Sequence, residues 1–434
     1  MKHTSSPASA TPTTAPRQHV LVGVASMVGT TIEWYDFFLY GTAAALIFNK
    51  LFFPAFAPLT GTLAAFGTYA VGFLARPLGA VIFGHYGDRI GRKSMLLVTL
   101  LLMGIPTMAI GLIPTYHSIG YGAAVLLVLM RFLQGIAVGG EWGGAALMAV
   151  EHAPAGRKAF YGSLPQAGVG AGLILSSLAM AAVAQLPEAD FMSWGWRLPF
   201  LASVLLLGVG AFIRVKVAES PAFENLKESG RQVDMPVLEI IRQHPRAVLT
   251  VAGARMAETT WFYTVVTFSL TFITQQLAMP KALALNAIVV GAVVSLFTIP
   301  LAGHASDRFG ARRIFMMGAA LVCVAAVIFF RMLEARDPVL LFAAMIMAIG
   351  GVFPLLYAPE SALFAAQFPA EVRYSGISLS VQLAGAIAGG AAPIVAAALL
   401  AAGHGDPWLI CVYLASLAVL ALFCAWRLKP AHGQ

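Results

Sequence analysis

Charge is what this sequence has least of: 11% of its 434 residues are Asp, Glu, Lys or Arg, against 59% that are hydrophobic. A soluble globular domain carries about 25% charged residues, so this is the composition of a membrane protein. Cysteine is almost missing as well. Cys323, Cys411 and Cys424 lie scattered in apolar runs with no CxxC and no partnering His, which reads as packing rather than as a metal or redox centre. There is no Gly-rich phosphate loop between strand and helix, no HExxH and no loop long enough for a catalytic domain. An enzyme is therefore not expected, and neither is a cofactor or a metal site. The start, "MKHTSSPASATPTTAPRQH", lacks the apolar core and cleavage site of a signal peptide. Its Ser, Thr, Pro and Ala without aromatics read as a disordered tail over 1–19.

What is present is a series of apolar segments. At about 20 residues per membrane-crossing helix, the chain reads as twelve spans: 20–48, 59–84, 94–113, 121–149, 160–184, 198–217, 247–277, 284–303, 314–333, 338–362, 374–402 and 407–427. With both termini placed in the cytoplasm, inner segments hold 19 of the 27 Lys and Arg, outer segments five (Lys50, Arg197, Lys281, Arg331, Arg336), and three lie within spans. That split follows the positive-inside rule and accounts for the net charge of +8 without a nucleic-acid partner. Trp194, Trp196 and Trp408 fall where an outer aromatic belt is expected.

Residues 218–246 form the one long polar stretch after the tail and divide the spans six from six. The expected domains are an N-terminal bundle over 20–217, a cytoplasmic linker over 218–246 and a C-terminal bundle over 247–429. The halves are related. "GHYGDRIGRK" (84–93) follows the second span and "GHASDRFGARR" (303–313) the eighth, 219 residues later; "PAGRKAFYGS" and "PAEVRYSGIS" repeat after the fourth and tenth. Such a repeat predicts an all-α integral membrane protein of twelve transmembrane helices in two six-helix bundles, with a site between them that opens to alternate sides. In the repeated loop, Gly84, Gly87 and Gly91 permit a tight turn. Asp88 is placed to accept from N–H groups at a helix start, and Arg89, Arg92 and Lys93 hold that end at the anionic membrane face. Asp307 and Arg308 recur in the second copy, but Ala311 stands where the first has Arg92, so the second loop is expected to do less. Together these residues read as a gate.

The loop resembles the signature of the major facilitator superfamily, and "RFLQGIAVGG" (131–140) resembles that family's fourth-helix motif, with its arginine at Arg131. More narrowly, "EWYDFFLYG", "RFLQGIAVGGEWGGAAL", "KAFYGSLPQAGVGAGL" and "SWGWRLPF" resemble the metabolite:proton symporters, the shikimate-transporter branch above all. The resemblance implies the superfamily fold and proton-driven import of a small anionic organic acid across the inner membrane. Shikimate or a related cyclic hydroxy acid comes first. Citrate, 2-oxoglutarate or another di- or tricarboxylate is the alternative; a betaine or proline symporter and a drug:proton exporter are further rivals. The expected partners are substrate, proton and membrane lipid, with the chain a monomer.

Ionisable residues at mid-membrane depth are expensive, about 2.5–3.5 kcal/mol each, unless they pair or line a wet cavity. This chain has seven: Glu33, Asp36, Arg76, Arg131 and Glu141, then Arg255 and Glu258, which repeat the i, i+3 spacing of Glu33 and Asp36. Arg131 and Arg255 are the expected hosts for a substrate carboxylate, since a guanidinium stays charged when buried and binds carboxylate bidentately. Asp36, then Glu33, Glu141 and Glu258, are the expected proton carriers, with a permanent salt bridge such as Arg131–Glu141 as the plain structural reading. Tyr35, Tyr263, Trp34 and Trp261 flank the charged faces and could stack on a ring. Gln134 sits one turn from Arg131, Gln166 lies in a glycine-rich run that could face the cavity, and Trp142 neighbours Glu141. Glu360 and Glu151 are expected at the gate, each paired with a loop arginine.

Overall fold

A computed structural model of the chain describes residues 16–56 and 58–430. Most of the expected tail, 1–19, lies outside the described residues, and helix begins at Pro16 rather than at residue 20. Among the described residues there is no strand. The long helices are α1 Pro16–Ala43, α2 Pro58–Arg89, α3 Arg92–Leu112, α4 Gly122–Glu151, α5 Lys158–Val183 and α6 Arg197–Lys216, then α7 Pro245–Tyr263, α8 Lys281–Phe309, α9 Ala311–Glu334, α10 Pro338–Ala365, α11 Ala370–Ala402 and α12 Trp408–Arg427. Nine helices among the described residues are long and apolar enough to cross a membrane. α1, α2 and α7 fall outside that set; α1 carries Glu33 with Asp36, and α7 carries Arg255 with Glu258.

Local chemistry sets the helix starts. Pro245 and Pro338 stand in the first turns of α7 and α10, where the missing N–H costs nothing. Asp337 caps α10 by accepting from the Leu340 N–H at 2.9 Å. The α2–α3 and α8–α9 turns each pivot on a glycine in the left-handed region, Gly91 at φ 124° and Gly310 at φ 103°, which a side chain would strain. Two short helices, Pro221–Glu228 and Pro236–Gln243, form the linker. α1 and α7 run on into π-helical turns, at Ala44–Phe48 and at Thr264–Phe268 and Phe272–Gln276, and α10 and α11 contain them at Ile346–Val352 and Gly385–Gly389. Such turns free backbone groups and redirect side chains, often beside functional sites.

Missing side chains let the helices touch. A Cβ at Gly79 of α2 would lie 1.9 Å from the Ile136 carbonyl oxygen of α4, and one at Gly135 of α4 would lie 2.3 Å from the Gly72 carbonyl oxygen of α2. In a membrane, where lipid is as apolar as leucine, such close backbone packing is a main source of helix association. The same device joins the halves, α1–α6 and α7–α12. Gly170 of α5 abuts the Ala292 carbonyl of α8, and Gly84 of α2 abuts the Ser375 backbone of α11. Trp196 departs from expectation. It is fully buried among Phe48, Phe52 and Phe200, whereas Trp194 and Trp408 are exposed. Its apolar ring covers the N-terminal bundle's end instead of reaching the interface.

Candidate transport site

On the N-terminal side, α1, α3 and α4 bring an acid and an arginine together through two neutral groups. The Thr107 hydroxyl donates to Asp36 Oδ2 at 2.7 Å, and Gln134 Nε2 donates to Thr107 at 2.7 Å. Arg131 Nη1 donates to Gln134 Oε1 at 3.2 Å, and its guanidinium lies 4.5 Å from the Tyr40 ring centre. Thr107 had no signal in the sequence beyond its place in an apolar run. Glu33, one turn before Asp36, is buried, and its Oε2 has no hydrogen-bond partner among the described residues. Arg76 lies 4.2 Å from the Phe73 ring centre and faces the same cavity as Tyr263 of the other half.

On the C-terminal side, one cation is held by two acids. Arg255 pairs with Glu258 at 3.1 Å and with Glu360, and it lies 4.9 Å from the Trp142 ring and 5.0 Å from the Tyr357 ring. Trp142 Nε1 donates to the Tyr357 hydroxyl at 3.1 Å, a bond between the halves. Between the two sides lies a small cavity of about 40 Å³, lined among others by Glu33, Arg76, Trp142, Arg255, Glu258 and Tyr263. A second, of about 10 Å³, reaches Asp36, Arg131 and Gln134, and Glu33 and Arg76 line both. Each water molecule needs about 10–15 Å³ of such space, so the cavity holds a few waters at most and has no room for an organic solute. A larger cavity, about 450 Å³, lies between the ends of α7 and α11 farthest from the basic loops and holds none of the charged residues above.

Several expected positions are corrected. Glu141 does not pair with Arg131; it binds Arg214, whose Nη1 is 3.2 Å from Oε2, and it accepts from Thr99 at 2.6 Å. Arg214, counted by its position among the inner-segment bases, is buried near the end of α6. Glu360 is part of the Arg255 cluster, not of the gate, because α10 turns it inward. Tyr35 points away from the cavity and donates to the Pro199 carbonyl at 2.7 Å, and Trp261 points into the C-terminal core and donates to the Ala348 carbonyl at 3.1 Å. Gln166 crosses from α5 to Ser361 of α10 at 2.5 Å and does not line the cavity. Among the described residues no His, Cys, Asp and Glu group could hold a metal ion.

The face carrying the basic loops is shut. Asp88 accepts from the Tyr374 and Ser375 N–H groups at the start of α11, at 3.2 and 2.9 Å. Asp307 accepts from the Ala159 and Phe160 N–H groups at the start of α5, at 2.8 and 2.9 Å. Each acid thus caps a helix of the opposite half, where the helix dipole favours negative charge. Arg92 is completely buried rather than at the membrane face: it lies 3.9 Å from Asp88 and 3.3 Å from Glu151, which also takes Arg373 at 3.0 Å. Glu219 of the linker, which sequence reading missed, accepts from the Arg92 and Lys93 N–H groups at 3.1 and 3.2 Å. Burial pushes the neighbouring His152 imidazole below its ordinary value, so it adds little charge there. Arg89 and Arg308 are exposed. On the side away from the basic loops, aromatic residues of the two halves meet beside the cavity, Phe73 with Tyr263 at 5.5 Å and Trp34 with Phe262 at 5.5 Å.

Comparison with known proteins agrees with this architecture. Residues 21–244 match the family of sugar (and other) transporters, and residues 250–434 match the major facilitator superfamily. The chain is 40% identical to the shikimate transporter of Escherichia coli (strain K12) over 94% of each chain. It is 38% identical to the inner membrane metabolite transport protein YhjE of the same organism over 92% of each. Among solved structures, the proton:xylose symporter XylE bound to 6-bromo-6-deoxy-D-glucose superposes with a TM-score of 0.79 at 14% identity, over 96% of this chain and 97% of that one.

Proposed function

The chain belongs to the major facilitator superfamily, among the metabolite transporters that include the shikimate transporter, and we propose that it imports a small organic acid together with a proton by alternating access. Shikimate or a related cyclic hydroxy acid is the first candidate. The observation that carries this reading is Arg255, held between Glu258 and Glu360 at the wall of a small cavity between the halves. Two acids on one guanidinium leave it one carboxylate in excess. A substrate carboxylate entering the cavity competes for Arg255, and the acid it displaces favours its protonated form away from water and cation. Charge balance then couples the two cargoes. The aromatic faces of Trp142, Tyr357 and Trp34 suit a flat ring. Asp36, tied to Arg131 through Thr107 and Gln134, is the proton carrier of the N-terminal half. By the positive-inside rule the basic face is cytoplasmic, with both termini inside and the chain in the inner membrane. It acts as a monomer, with no cofactor beyond the coupling proton.

The test is a counterflow screen of purified protein in vesicles against about twenty organic acids. Cyclic hydroxy acids are expected to exchange fastest, and a preference for neutral or cationic compounds overturns the reading. Faster exchange of citrate or 2-oxoglutarate moves the assignment to polycarboxylates, with Arg131 or Arg76 as a second anion host. Asp36→Asn is expected to abolish uphill uptake driven by a pH gradient; undiminished accumulation removes Asp36 from coupling.

A further inference from the structure

One face of α1 carries polar groups far past the cavity. Ser26, Gly29, Glu33 and Asp36 follow at intervals of three, four and three residues, so they stack on one side of the helix. Gly29 lies one turn from Glu33 and leaves a gap that Arg214 fills: a Cβ there would sit 1.9 Å from Nη2 of the guanidinium. Arg214 in turn holds Glu141 and the Leu96 carbonyl. Beyond it, a small crevice of about 10 Å³ lined by Ser26, Lys93, Leu96, Arg214 and Val217 leads to the basic face, where the Lys93 ammonium is exposed. None of these groups is needed to hold a substrate in the central cavity, and none except Lys93 belongs to the gate loops.

We infer that the proton does not share the substrate's exit, but leaves through the N-terminal bundle along this face of α1, with the Arg214–Glu141 pair as its gate. The inference rests on the proton coupling proposed above. Asp36 passes its proton to Glu33, whose Oε2 has no hydrogen-bond partner among the described residues. Glu33 passes it to Glu141 as that acid parts from Arg214, and Glu141 releases it to water at the Ser26 crevice. One proton moves at each step, and Glu33 and Glu141 end in the form in which they began. The charges facing Glu33 are Asp36 on its own helix, Arg76 from α2, Arg131 and Glu141 from α4, Arg214 from α6, and Arg255 with Glu258 across the cavity from α7. Of these, Glu141 is the carboxylate bound to a residue that lines the crevice, Arg214. Arg214 is thus a positioning residue, and Gly29 is a glycine because a methyl group would push the guanidinium off the path.

The test uses the full chain in vesicles loaded with a pH-sensitive dye, and reads substrate exchange and substrate-driven acidification of the lumen side by side. Glu141→Gln is expected to lower the ratio of acidification to exchange at least tenfold, and Gly29→Ala several-fold. Because Glu141→Gln leaves a buried guanidinium unpaired, the double variant Glu141→Gln with Arg214→Gln is run beside it, and the same fall in ratio is expected. An unchanged ratio in the double variant, or parallel loss of both readings in Gly29→Ala, overturns the exit path and leaves the pair structural. Absence of acidification in the unaltered chain overturns proton coupling itself.

Discussion

The two gate loops perform the same act with unequal backing. Asp88 and Asp307 each accept two N–H groups at the start of a helix in the other half. Around Asp88 the contact is reinforced by Arg92, Glu151, Arg373 and Glu219, most of it out of water. Around Asp307 the position of Arg92 is taken by Ala311, and Ala366 at the end of α10 stands where α4 ends in Glu151. The repeat therefore preserves the helix cap and adds the ionic lock to one copy only. A cap worth up to about 2 kcal/mol orients two halves. A buried ion cluster makes leaving that orientation costly, since parting one partner strands the other.

That contrast can be broken experimentally. Ser375→Cys and Ser163→Cys serve as reporters, both sites being buried where the halves meet, in a chain whose native cysteines are replaced. Glu151→Gln should have the largest effect, because it leaves Arg92 and Arg373 short of a charge. A loss of about 3 kcal/mol implies roughly 100-fold faster labelling at position 375. Asp88→Asn keeps one acceptor and the shape of the side chain, so about tenfold is expected, with Asp307→Asn giving only a few-fold change at position 163. Equal effects of the two asparagine variants would mean that the lock adds nothing to the cap. Smallest of all is Arg231→Ala. Its ion pair with Glu371 ties the linker to α11, but the Arg231 side chain is 70% exposed. A change of under about twofold, vanishing at high salt, is expected there.

Much of this was legible before any coordinates. Apolar length located the helices, the 219-residue repeat gave two halves, and the spacing of Arg255 and Glu258 put them on one face. What the sequence conveys is depth along a helix; what it withholds is azimuth, which packing partners decide. Trp34 lines the cavity, whereas Tyr35, one residue and about 100° further round, turns to the Pro199 carbonyl. Trp261 and Gln166 were misplaced for the same reason. Arg214 was hidden because a base near the end of an apolar run usually snorkels to the interface. Only its seat between Gly29 and Glu141 reveals that it turns inward. Glu360 was hidden by its position near a helix end, which suggested a surface role.

The void between the two halves also bears on the cell that carries this protein. With space for a few water molecules at most and a charged latch beneath it, the transporter in this state offers no continuous aqueous thread through the bilayer. Many copies can then sit idle in a membrane without discharging the gradients on which other machinery depends, so abundance need not compromise electrical insulation.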